Sequence, residues 1–175
     1  INSGIWEIVL TPRKIISGNY AMWLPSENVL NPGTAFLFPT ETGTLTIPST
    51  ASRTIGVGAY DALTFSYADF SGRGQRGAGR LSKPDIVAPG VNVTAPTTSG
   101  TYASFSGTSF ATPFVTGGAA LMMEWGIIKE NDPYLYGEKV KAYMQRGARP
   151  LPGFTEYPNS QVGYGALCVR DSIPI

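Results

Sequence analysis

The sequence contains no histidine among its 175 residues and only one cysteine, Cys168. Histidine is the base that most often activates a serine or cysteine nucleophile, so no such base lies within this chain. A single cysteine excludes an internal disulfide, and without a histidine base it argues against cysteine catalysis. We therefore interpret Cys168 as a small buried hydrophobic residue.

Charge is also scarce, at 14% of residues with a net charge of +1. This balance gives no electrostatic basis for binding nucleic acid or an acidic membrane, and we expect neither partner. Polar residues interrupt the apolar stretch at residues 110–128, which predicts a buried helix rather than a membrane span. No acidic cluster has the spacing of a calcium loop, so no metal site or cofactor is evident.

Ser109 is the residue with the clearest chemical context. The small residues Gly107 and Thr108 precede it and an apolar run follows, which predicts a helix with Ser109 at its N-terminus. There the free backbone N–H groups and the helix dipole favour developing negative charge. A nucleophile that attacks a carbonyl needs such donors for the oxyanion. The alternative is a serine that simply caps a buried helix.

Residues 107–113 read Gly-Thr-Ser-Phe-Ala-Thr-Pro. They resemble the nucleophile segment of the subtilisin-like serine proteases, Gly-Thr-Ser-x-Ala-x-Pro. Residues 83–91, Lys-Pro-Asp-Ile-Val-Ala-Pro-Gly-Val, resemble the family's strand and loop before that segment. The resemblance covers residues 44–166, with Phe114 where the family often has a histidine outside the triad. It implies an α/β fold, three-layer α/β/α with a mostly parallel sheet, of which this chain is the C-terminal portion.

The resemblance implies that Ser109 is the nucleophile of a serine endopeptidase and forms an acyl-enzyme. In the family the triad runs Asp, His, Ser along the chain. With no histidine and a start at Ile1 rather than Met, we expect a piece of a longer polypeptide. An upstream segment would supply the Asp and His, and the chain alone would be inactive. The alternative is a pseudoprotease, a binding or signalling protein with the protease fold.

The resemblance also assigns substrate contacts. Thr46 would line the pocket for the side chain before the cut and narrow it relative to glycine. The other residues expected to bind substrate lie beside Ser109: Ser104, Phe105, Ser106, Gly107 and Thr108. Expected partners are a protein or peptide substrate and a propeptide, and calcium is implied by resemblance only. We expect a secreted or spore-associated bacterial protein.

Residues 1–43 lack the protease pattern, so we place a domain boundary there, with 44–175 as the protease part. Strands predicted at 4–11, 14–16, 20–24 and 36–38 resemble the end of a jelly-roll-like β-sandwich insert. This insert and residues 164–174 resemble the clostridial Csp-type germination proteases. Trp6 and Trp23 are interpreted as packing residues, the alternative being a carbohydrate-binding module. Asn19 is interpreted as a turn residue rather than the oxyanion asparagine.

Further predictions concern the protease part. We expect strands at residues 53–59 and 84–89, a helix at 109–128 and a second helix at 135–146. On the second helix the apolar residues would face inward, and Lys139, Lys141, Gln145 and Arg146 would face outward. Asp85 is interpreted as a structural acceptor of backbone, Lys or Arg hydrogen bonds rather than the triad Asp. Residues 65–82 predict a solvated surface loop, with a phosphate- or RNA-binding loop as the alternative.

Overall fold

A computed structural model describes residues 3–18, 20–25, 29–75 and 83–174. The chain divides into two compact units, Ile1–Leu37 and Phe38–Ile175. The candidate site lies wholly in the second unit, whose elements are described first. The interpretation of Asn19, and part of the loop predicted at 65–82, lie outside the described residues.

The second unit contains a three-stranded sheet in the order β2-β1-β3. Strands β1 (Val57–Asp61) and β3 (Ile86–Pro89) pair in parallel, with Ala59 opposite Ala88. Strand β2 (Ser66–Tyr67) pairs antiparallel with β1. Strands β4 (Val93–Pro96) and β5 (Tyr102–Phe105) form a separate antiparallel hairpin after β3. The sequence therefore runs from β3 through this hairpin into the helix that carries Ser109.

The main helix, α1 (Thr108–Met123), continues into a π-helical turn at Glu124–Ile128. Its buried stripe of Ala111, Val115, Gly118 and Met122 has helical spacing and packs against β1 and β3. This confirms the helix predicted at 109–128. The other helices are α2 (Gly137–Arg146) and the short α3 (Val169–Ser172). In the described part of the chain, every helix falls short of the length or apolarity that a bilayer crossing requires.

The core occupies both faces of the sheet, because successive strand residues point to opposite sides. Ile86 and Ala88 face α1 and α2, whereas Val87 faces the segment that contains Leu151 and Val162. The α/β class is confirmed. The described residues place helices against one face and irregular chain against the other, and they form a single parallel strand pair. The full three-layer arrangement and the mostly parallel sheet therefore stay predictions.

The first unit differs from its prediction. Its described residues, 3–18, 20–25 and 29–37, form no strand, although four were expected. Trp6 and Trp23 are 68% and 55% exposed rather than packed in a core. The physical reason is that a strand needs a hydrogen-bonded neighbour, and alternating sequence alone cannot supply one. The β-sandwich insert and the boundary at residue 43 stay predictions.

The core of the second unit yields a stability prediction for α2. Met144 is almost completely buried, so its replacement by alanine leaves a cavity beneath the sheet. We expect Met144→Ala to lower the free energy of unfolding by about 2–5 kcal/mol. Arg146→Ala, an exposed position on the same helix, is the matched control and should change it by less than about 0.5 kcal/mol. Urea denaturation of the polypeptide measures both, and equal effects would contradict this core assignment.

Candidate active site

The position of Ser109 depends on a close approach between the end of β3 and the start of α1. The backbone N–H of Gly107 donates to the carbonyl of Gly90 at 2.8 Å, and Gly90 N–H donates to the carbonyl of Tyr60 at 3.0 Å. A Cβ at residue 90 would lie 2.6 Å from Ala59 Cβ and 3.0 Å from the Gly107 carbonyl oxygen. Only glycine fits there without displacing backbone or a buried side chain.

Ser109 is the second residue of α1 and is exposed. Gly107 precedes the helix with φ at 154°, a conformation that L side chains rarely adopt, so the chain turns sharply into the helix. Within the described residues the Ser109 hydroxyl has no hydrogen-bond partner. Its backbone N–H lies in the first turn, where helical N–H groups lack intrahelical acceptors. The position thus combines an available nucleophile with a donor for an adjacent oxyanion.

A groove of about 800 Å³ opens beside Ser109. Thr108, Ser109 and Thr112 contribute the α1 side, and two other segments form the walls. We define the first wall as residues 41–46 with 69–73, and the second wall as residues 48–57. Neither wall contains a helix, and Val57, the first residue of β1, is the only strand residue in them. The residues lining these walls are Glu41, Thr44, Leu45, Thr46, Pro48, Ser49, Thr54, Ile55, Gly56, Val57, Asp69, Phe70, Ser71, Gly72 and Arg73.

Arg73 holds the first wall together. Its guanidinium pairs with Glu41 at 2.8 Å and lies 5.5 Å from the centre of the Tyr67 ring. Its backbone N–H donates to Thr44 Oγ1 at 2.8 Å, and its carbonyl accepts from Thr44 N–H at 2.9 Å. Interaction with the Tyr67 hydroxyl, and then with Glu41, raises the pKa of Arg73, so the side chain stays charged.

Asp85 does not line the groove itself but supports the second wall through hydrogen bonds. The carboxylate accepts from Gly56 N–H at 2.7 Å, from Lys83 at 2.5 Å, from Lys141 at 2.8 Å and from Gln145 at 3.0 Å. Burial lowers the pKa of the Lys83 ammonium, and contact with Asp85 opposes that effect. The interpretation of Asp85 as a structural acceptor is therefore confirmed.

The same contacts correct one prediction for α2. Lys141 and Gln145 were expected to face outward, but both turn inward onto Asp85. The helical pattern assigned them outward because it treats charged and amide side chains as solvated. A buried carboxylate reverses that preference, because an unpaired charge in the interior is costly.

The structure places the predicted site residues in two groups. Thr46, Thr108 and Ser109 line the same groove. Ser104 and Phe105 lie on β5, while Ser106 and Gly107 connect β5 to α1, and none of these four lines the groove. The Phe105 ring stacks on Phe110 at 5.0 Å, and Ser106 Oγ accepts from the Asn92 N–H at 3.0 Å. Their roles toward substrate stay predictions.

Sequence reasoning missed the charged lining residues Glu41, Asp69 and Arg73. Glu41 and Arg73 are 32 positions apart, and no local pattern signals their pairing. Within the described ranges, no three His, Cys, Asp or Glu side chains converge as a metal site would require. Calcium therefore stays an expectation from resemblance.

An unpaired serine hydroxyl at the start of a helix, beside a groove, defines a site suited to nucleophilic acyl transfer. The subtilase family model matches residues 17–165. Subtilisin Savinase from Lederbergia lenta is 36% identical over 120 residues, which cover 69% of this chain. The chain belongs to the subtilase family of serine-type proteases.

Solved structures agree with this assignment. The CspB protease of Clostridium perfringens is 44% identical with a TM-score of 0.78, over 82% of this chain. The prenylagaramide maturation protease PagA is 32% identical with a TM-score of 0.62, over 75% of this chain. The similarity to CspB is consistent with the Csp-type resemblance. This chain spans 30% of the CspB chain, 46% of PagA and 39% of subtilisin Savinase.

The close approach between the end of β3 and the start of α1 can be tested by adding one methyl group at Gly90. We expect Gly90→Ala to lower the free energy of unfolding by about 1–3 kcal/mol, because the methyl overlaps the buried Ala59 side chain. Gly137→Ala is the matched control, since no atom lies within 4 Å of the added Cβ at that position. Thermal and urea denaturation of both variants measure the difference. A neutral Gly90→Ala would show that α1 starts farther from β3.

Proposed function

We propose that this chain is the C-terminal part of a serine endopeptidase whose nucleophile is Ser109. The observation that carries the proposal is the exposed hydroxyl, unpaired within the described residues, that lines the groove. In this mechanism Ser109 Oγ attacks the scissile carbonyl carbon, and its proton passes to a histidine outside this chain, which an aspartate orients. The backbone N–H of Ser109 donates to the resulting oxyanion.

The intermediate then breaks its C–N bond. The amine leaves with the proton returned by the histidine, and the acyl group stays on Ser109 Oγ. Water attacks this ester, with the histidine again accepting a proton, and releases the acid and the free serine. Removal of the histidine in subtilisin lowers kcat by on the order of 10⁶, which is why the chain alone would be inactive.

The surface of α1 supports a further segment of the same polypeptide as the source of the Asp and His. Phe114 and Leu121 on this helix are 45% and 57% exposed, although the opposite stripe is fully packed. Exposed apolar surface on a helix is costly in water, at about 25 cal/mol per Å². Cover by the remaining part of a subtilase domain would remove this cost and bring the proton acceptor beside Ser109.

The proposed substrate is a protein or peptide. The groove of about 800 Å³ beside Ser109 supports this proposal, and PagA, a maturation protease by its name, is among the similar structures. The bacterial sources of the relatives support a secreted or spore-associated protein, and a propeptide is a proposed partner. A competing proposal is a pseudoprotease that binds without cleaving, which requires that no segment of the polypeptide supplies the histidine that this sequence lacks.

Covalent labelling with a fluorophosphonate tests the endopeptidase proposal. We expect the full-length polypeptide to be labelled on Ser109 and this chain alone to react at least 10³-fold more slowly, because the base is missing. Intact-mass and peptide mapping locate the adduct. Ser109→Ala should abolish labelling.

Ser99→Ala is the control, because Ser99 lies in the exposed turn between β4 and β5 and does not line the groove. It should label like the unchanged polypeptide. Rapid labelling of the isolated chain would refute the requirement for an upstream base. A full-length polypeptide that stays unlabelled would favour the pseudoprotease.

Thr46 gives a prediction about substrate choice. Thr46→Gly should widen the groove and raise kcat/KM for peptides with a large aromatic residue before the cut, relative to alanine, by about tenfold. Thr98→Gly is the control, since Thr98 is exposed in the turn between β4 and β5 and does not line the groove. Competition between two fluorogenic peptides measures the ratio. An unchanged ratio in Thr46→Gly would remove Thr46 from the pocket.

A further inference from the structure

The second groove wall, residues 48–57, belongs to no long regular element, yet it lines much of the groove. Its first part forms a turn in which Ser49 Oγ donates to the Thr46 carbonyl and Thr54 Oγ1 donates to the Ala51 carbonyl. Such local bonds shape a turn but do not anchor it to the rest of the fold. The anchor must therefore come from outside the wall.

Two lysine ammonium groups supply that anchor. Lys83 Nζ donates to the Thr54 carbonyl at 2.7 Å, and Lys141 Nζ donates to the Thr54 carbonyl at 3.0 Å and to the Ser52 carbonyl at 2.9 Å. Both ammonium groups also contact Asp85, whose other bonds include the Gly56 N–H. The wall is thus held at three main-chain positions, Ser52, Thr54 and Gly56.

The energetics make this anchor sensitive to the loss of one member. The side chains of Asp85 and Lys141 are 2% and 11% exposed, so the ion pair between them forms in surroundings of low dielectric. Two cations share one carboxylate, which leaves one positive charge for the carbonyl oxygens of the wall. Removal of the Lys141 ammonium takes the lysine donor from the Ser52 carbonyl, one of two lysine donors from the Thr54 carbonyl and one of two cations from the buried Asp85 carboxylate, which loosens the wall.

We infer that Lys141, with Lys83 and Asp85, is a positioning residue that fixes the substrate-binding wall of the groove through the main chain of residues 52–56. This inference rests on the proposed endopeptidase function. Ser109 itself is held separately, by α1 and the contact between Gly107 and Gly90. Loss of Lys141 should therefore weaken substrate binding without altering the chemical reactivity of Ser109.

The test uses three variants of the full-length polypeptide. Lys141→Met keeps the aliphatic stem and removes the ammonium, and Lys141→Arg restores a cation. Lys139→Met is the matched control, because Lys139 lies on the same helix and pairs with Asp132 at 2.6 Å, away from the groove. For each variant, KM and kcat for a fluorogenic peptide and the rate of Ser109 labelling by a small fluorophosphonate are measured.

Lys141→Met should raise KM on the order of tenfold, while kcat and the labelling rate stay within about twofold. Lys141→Arg should recover most of the KM, and Lys139→Met should change none of the three quantities. A fall in kcat or in labelling at constant KM would overturn the inference. No change in Lys141→Met, or an equal change in Lys139→Met, would overturn it as well.

Hydrogen–deuterium exchange separates this inference from the proposed function. Faster exchange across residues 48–57 in Lys141→Met, but not in Lys139→Met, supports the anchor whether or not the polypeptide cleaves peptides. Equal exchange in the two variants overturns it. A wild-type polypeptide that neither cleaves peptides nor labels at Ser109 refutes the proposed function, and the exchange measurement then decides the inference alone.

Discussion

The hydrogen bond from Gly107 to the carbonyl of Gly90 sets the geometry of the site, because it joins the end of β3 to the start of α1. Strand β3 is buried between two core clusters and cannot shift without disturbing both. Its fixed end therefore fixes the first turn of α1. This contact therefore also defines the position of Ser109, whose hydroxyl lies beside the groove and whose backbone N–H is free to donate.

The two walls of the groove are held by ion pairs between charged side chains rather than by long strands or helices. One wall is held by the Arg73 pair with Glu41, and the other by the buried contacts of Lys83 and Lys141 with Asp85. The two anchors differ in their surroundings. Glu41 is exposed, so that pair gains little from its Coulomb energy, whereas the Asp85 contacts are enclosed and costly to disrupt. The walls of the groove and the position of Ser109 are thus supported by separate parts of the fold.

The sequence predicted the parts whose signals are local. The apolar stripe of α1, the strand before Pro89 and the exposed serine after Gly107 all follow from spacing within a few residues. The sequence-based predictions were wrong where the structure depends on contacts between residues far apart in the chain. The alternation at residues 4–11 has no partner strand in the described part of the first unit, and Lys141 turned inward because Asp85 lies there. Neither the pairing of Glu41 with Arg73 nor the groove that they line has a local signature in the sequence.

We propose that the Ser109 hydroxyl is a nucleophile whose proton acceptor comes from a segment outside this chain. A crystal structure of the full-length polypeptide tests this most directly, through the distance from Ser109 Oγ to the nearest histidine ring nitrogen. We expect a hydrogen bond at about 2.6–3.2 Å, with the groove open beside it. A Ser109 hydroxyl enclosed by apolar side chains, with no ring nitrogen within reach, would contradict it.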